Sequence, residues 1–204
     1  MLTGTHFAIE KKVVALADTF QVNDESGNLL VTVTRNELNF TFNDANGAQI
    51  GEIRGSQPNR KLPDHDELYE FQVLDEQGKL IAAIKQKAYP HERTGFLKGA
   101  AWNFDFSWCV EGPAGEDMAR IKRKGETKSF SAPSVRITSV EIPSGTLIAE
   151  FQRKALSIHQ NCTVQIVNPM MDPYLVLASL FAHPTTQNTI YEGKHTRHLE
   201  EYLL

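Results

Sequence analysis

The 204-residue chain has little cysteine, and Cys109 and Cys162 stand far apart with no C-x-x-C pair. That excludes a disulfide framework; a single disulfide between the two stays open, and the plainer reading is two small buried apolar side chains. No charge of one sign dominates: 21 Lys+Arg face 25 Asp+Glu, for a net charge of −4. General nucleic-acid affinity needs a basic field and is not expected. Hydrophobic residues make up 41%, too many for a disordered chain. Long apolar runs are missing as well. The most hydrophobic stretch, residues 174–182, falls far short of the roughly 20 residues that span a bilayer. The first residues lack the charged segment and apolar run of a signal peptide, so a cytoplasmic, reducing setting is expected. There is no G-x-S-x-G elbow, no G-x-G-x-x-G turn and no Walker loop. The expectation is therefore a non-enzymatic protein with no cofactor and no metal.

What is present starts with that apolar stretch. Asp172 suits a helix N-cap, Pro173 the first helical position, and Pro184 after His183 a helix stop. Leu175, Leu177, Ala178, Leu180, Phe181 and Ala182 leave no polar face. A helix apolar all round must be enclosed by protein.

The rest reads as β. A strand–turn–strand unit recurs at Phe20-Gln-Val-Asn-Asp24 to Gly27, Phe40 to Gly47, Phe71 to Gly78, Phe106 to Gly115 and Val140 to Gly145. Asp caps such a turn with its side chain and Gly supplies a positive φ. Five hairpins give about ten strands, and residues 3–16, 127–138 and 156–167 supply more. The turn spacing is irregular, which argues against a solenoid or propeller. Many short antiparallel strands suggest a sandwich or a closed barrel. A barrel of about twelve strands is too wide for its own side chains to fill, and the segment 173–183 is the available plug. Residues 1–184 form one domain on this reading, and 185–204 a tail with an amphipathic helical pattern.

These units resemble the tubby C-terminal-like superfamily, in its LURP-one-related and phospholipid-scramblase branches. The residues that carry the resemblance are the aromatic-x-Val-x-Asp-x-x-Gly units at 20–27 and 71–78 and Phe42-Asn-Asp-Ala-Asn-Gly47, followed by the hydrophobic segment 173–183. It extends over roughly residues 5–184. The resemblance implies a twelve-stranded antiparallel barrel around a buried C-terminal helix. Tubby-like members bind phosphoinositides and act as membrane-tethered adaptors, and scramblase-like members associate with membranes and calcium. LURP-one-related members mostly lack a defined activity. The chain has no scramblase-type calcium motif, no palmitoylation-type cysteine cluster and no tubby C-terminal signature.

Among the charged constellations, Arg120, Lys122 and Lys124 would share one face of a strand, with Arg153 and Lys154 on the strand after the next hairpin. They form a candidate site for anionic phospholipid, with the protein peripheral at the membrane. The plainer reading is an outward face kept soluble by charge. A second basic stretch runs from Lys85 through Lys87, His91 and Arg93 to Lys98. Asp64-His-Asp66-Glu67 reads as a solvated loop, and His195 and His198 as part of an amphipathic tail helix. Trp102, Phe104, Phe106 and Trp108 alternate as the inward face of one strand would. The expected function is a binding or adaptor module for phosphoinositide-type headgroups. The alternatives are a protein-interaction module that oligomerises through the tail, and a small-molecule binder or enzyme at the barrel mouth.

Overall fold

The computed structural model describes residue 2 and residues 4–14, 17–56, 69–91, 103–129, 132–154 and 162–183. Side chains at 13, 14, 17, 87–91, 103–107, 123–129, 132–136 and 154 lie outside the description. Twelve strands follow one another: β1 His6–Val14, β2 Ala17–Asn23, β3 Leu29–Asn36, β4 Asn39–Asp44, β5 Gln49–Ser56, β6 Glu70–Asp75, β7 Leu80–His91, β8 Asn103–Glu111, β9 Asp117–Ser129, β10 Ala132–Glu141, β11 Leu147–Lys154 and β12 Cys162–Ile166. Each pairs antiparallel with its sequence neighbour, and β12 pairs with β1 to close the barrel. Closure leaves no strand edge to template aggregation.

The recurrent turn is built as the sequence suggests. In the first copy Gly27 N–H donates to Asp24 O at 3.0 Å, and the Asp24 carboxylate accepts from Asn28 N–H at 2.8 Å. Gly27 sits at φ 82°, a left-handed conformation that costs a side-chain-bearing residue free energy. The same backbone bond recurs at Gly47, Gly78, Gly115 and Gly145. Each copy carries a register shift just before the turn, at Val22/Asn23, Phe42/Asn43, Val73/Leu74, Val110/Glu111 and Val140/Glu141. Because the strands alternate in direction, all of these turns lie at one end of the barrel.

The helix α1 Pro173–Ala182 enters from that end. Asp172 caps it, its Oδ1 accepting from Tyr174 N–H at 2.7 Å. Every residue from Tyr174 to Ala182 is buried. The Phe181 ring lies 5.3, 5.8 and 5.5 Å from those of Phe20, Phe40 and Phe42, which face inward from β2 and β4. His183 follows, its ring 5.8 Å from that of Trp108 on β8. The Tyr174 hydroxyl donates to Leu74 O at 2.9 Å and Glu52 O at 3.2 Å. Its ring occupies the space that a side chain at Gly51 would need. The barrel is thus filled by the helix, as the all-apolar segment requires.

Candidate functional site

Register carries the charged residues into rows on the outside of the barrel. One row crosses five strands by direct pairing: Glu70 on β6, Lys85 on β7, Cys109 on β8, Arg120 on β9 and Glu141 on β10. A second links Lys122 on β9 to Ser139, Glu150, Gln165 and His6 on β10, β11, β12 and β1. Arg120 and Lys122 are exposed and flank the buried Ile121, so the structure brings these two candidate residues onto one outward face. Both have carboxylate neighbours. Lys122 Nζ lies 2.8 Å from Glu141, and Arg120 lies 4.0 Å from Asp117. Ser139 donates to Glu141 at 3.1 Å. Exposed ion pairs such as Arg120–Asp117 contribute about 0–1 kcal/mol and rearrange readily. Glu141 is more enclosed, its side chain 13% exposed, so Lys122 is held more firmly.

The other candidates are placed differently. Arg153 pairs with Cys162 and Phe151 with Val164, so Arg153 shares the inner-face register. It stands two strands from β9, and its charge opposes the burial that pushes the Cys162 thiol up to about 12. Lys124 falls at a register irregularity, between Arg123 opposite Thr138 and Gly125 opposite Ile137. Simple alternation from Lys122 does not continue through it. Lys154 pairs with Val135. The side chains of Lys124 and Lys154 lie outside the described residues.

Sequence reading missed two inward-register cations near the helix C-terminus. Lys11 lies 2.6 Å from Asp18, and the nearly buried Arg35 donates to Glu37 O at 2.8 Å and lies over the Phe40 ring. The signal was available in part, since Lys11 and Arg35 keep phase with Ile9 and Val33. Lys85 is also placed: its Nζ bonds Glu111 at 2.8 Å and lies 3.7 Å from Glu70. The Glu111 hydrogen bond holds the Lys85 ammonium above its ordinary pKa. Beside it, donor atoms of Cys109, Glu111 and Asp117 lie within 4.8 Å of one another. Neither cysteine is in a disulfide.

An outer groove of about 280 Å³ lies over the first turn and is lined by His6, Asp24, Glu25, Glu150, Gln152 and Gln165, among others. Its acids are engaged in structure. Asn28, bonding through its side chain and backbone, holds the Asp24 carboxyl below its ordinary pKa. Glu25 lies 2.6 Å from the His6 ring.

Asp64, Asp66, Glu67, Trp102, His195, His198 and the whole tail 185–204 lie outside the described residues, as do the side chains of Phe104 and Phe106. Trp108 is in the core at 4% exposure. Among the described residues no helix is long and apolar enough to cross a membrane.

No curated protein matches the chain significantly. A crystal structure of a protein from Arabidopsis thaliana is similar, at 16% identity and a TM-score of 0.46, covering 90% of this chain and 92% of that one. The family model described as LURP-one-related matches residues 5–183. The chain belongs to the LURP-one-related family.

Proposed function

We propose that this domain is a non-enzymatic binding or adaptor module that engages anionic phospholipid headgroups through the outward face of β9. The observation that carries the reading is the exposure of Arg120 and Lys122 side by side on that face. Lys124 on β9 and Lys154 on β11 belong to the proposed set by their place in the sequence. Arg153, on the inner-face register, contributes long-range charge. A binding role is further supported by the barrel interior, which the helix occupies with apolar side chains such as Val176, Leu177 and Phe181. An anionic headgroup would draw Arg120 from Asp117 first and Lys122 from Glu141 second, in the order of increasing enclosure of the partner.

Basic side chains at an anionic surface contribute about 1 kcal/mol each, so the attraction is salt-sensitive. The test is flotation with neutral and with phosphoinositide-containing vesicles at low and high salt. Binding to the anionic vesicles alone, lost in high salt and in R120E/K122E, is the expected result. Equal flotation of wild type and R120E/K122E would remove β9 from the site. No flotation under any condition would leave a protein-interaction role, for which deletion of 185–204 and a mass measurement in solution are the next step.

A further inference from the structure

We propose that Cys109, Glu111 and Asp117 form a binding site for a thiophilic divalent cation of the zinc class, at the base of the β8–β9 hairpin. The argument starts from register. Glu111 pairs directly with Asp117, and Cys109 lies two residues before Glu111 on the same strand face. Side chains at i and i+2 of a strand project to the same side. Two strands therefore converge three donors, whose ligand atoms lie within 4.8 Å of one another. Donors tetrahedrally placed on zinc sit about 3.5 Å apart, given bonds of about 2.0–2.3 Å. Small side-chain rotations cover the difference, and the exposed Asp117 can make the largest of them.

The donor set selects the ion. A thiolate with two carboxylates is too soft for calcium or magnesium, which take all-oxygen shells. Three protein ligands leave a fourth tetrahedral position for water. Cys109 is 3% exposed and Glu111 8%, so the inner side of the site is shielded from bulk solvent while Asp117 is open to it. That arrangement provides an entry path.

The site also already gathers positive charge. Lys85 lies 2.8 Å from Glu111, and Arg120 lies 4.0 Å from Asp117. These monocations stand next to the position a metal would take and are its competitors. Lys85 and Arg120 are 35% and 48% exposed in their side chains, so both can turn toward water when an ion arrives. Lys85 then keeps Glu70 as a partner, at 3.7 Å. Three carboxylates, one thiolate, two monocations and a divalent ion would balance in charge. Binding is a ligand exchange: the thiol proton leaves to solvent, a metal–sulfur bond forms, and no oxidant or reductant is required.

Cobalt(II) is the probe, because its thiolate complexes show a sulfur-to-metal charge-transfer band in the near ultraviolet. Reduced, metal-free full-length protein titrated with Co²⁺ should develop that band and saturate at one equivalent, and Zn²⁺ should abolish it by displacement. C109S should lose the band and C162S should keep it. D117N, at an exposed position that does not endanger folding, should weaken binding at least tenfold. K85M, which removes the ammonium competing for Glu111, should tighten it several-fold. A wild-type titration without the band, a band that survives in C109S, unchanged affinity in D117N or weakened affinity in K85M would each overturn the site.

Discussion

Gly51 and Tyr174 show how far single residues set the geometry of this barrel. A Cβ at Gly51 would collide with the Tyr174 hydroxyl and lie 2.7 Å from Leu74 O, a backbone atom that cannot swing aside. G51A should therefore destabilise the protein by about 1–3 kcal/mol or more, read from the denaturant midpoint. Y174F should cost about 1–2 kcal/mol for the lost hydroxyl bonds to Glu52 O and Leu74 O. The double variant should cost less than the sum, because the hydroxyl that the new methyl strikes is gone. An additive result would mean that the tyrosine hydroxyl is not what excludes a side chain at position 51. Cys162 carries a prediction about pH. Burial raises its thiol from 9.0 to about 12. The unfolded chain therefore loses this proton first as pH rises, and the contribution is intact below pH 9 and lost on the way to about 12. Tyr174, whose hydroxyl burial also pushes up, acts in the same direction above pH 10. Stability should fall by about 2 kcal/mol between roughly pH 9 and 11 through Cys162 alone. C162A should flatten that part of the curve, and an unchanged alkaline slope would show that the thiol does not ionise there on unfolding.

At the scale of elements, the helix and the hairpins differ in how they are held. Phe181 meets three inward rings from two strands, so F181A removes the largest packed group at the C-terminal half of α1. It should cost about 3–5 kcal/mol, against about 1 kcal/mol for D172A at the cap. Equal losses from the two would mean that capping, and not the ring cluster, anchors the helix. Both elements were legible in the chain itself. The Asp-to-Gly hairpins and the cap at Asp172 rest on short-range chemistry, and an all-apolar segment has only the interior to go to. The candidate site was legible in part. Arg120 and Lys122 share a face because strict alternation holds between them, whereas the irregularity at Lys124 depends on how β9 meets β10. The inner register of Arg153 depends on its pairing with Cys162. The opposition of Glu141 to Arg120, and of Glu111 to Asp117, are cross-strand facts that no local pattern contains. For the same reason Cys109 reads from sequence as an inert buried residue. Only the barrel's register sets it between Lys85 and Arg120.

The whole molecule poses one structural question above the others, which is what fills a barrel of twelve strands. A closed sheet of this size has an interior wider than its own inward side chains span. Phe40, Phe42, Phe71, Ile53 and Ile84 are almost fully buried, and they achieve it around a helix whose own Val176, Leu177 and Ala178 have no exposed surface. The helix and the sheet therefore bury each other's apolar faces. Neither set would be removed from water alone, and each fully buried side chain of this kind is worth about 1.5–3 kcal/mol. Among the described elements the helix also comes last, so the strands cannot complete the core before residue 173 is available. A chain ending at 184 retains every described element, while one ending at 171 retains all twelve strands and loses the helix. The first should unfold in a single cooperative thermal transition. The second should show no such transition and should bind a hydrophobic dye, as a sheet with an open apolar interior does. A sharp transition from the chain ending at 171 would mean that the strands collapse onto their own side chains, and the helix would then be an occupant of the barrel and not its core.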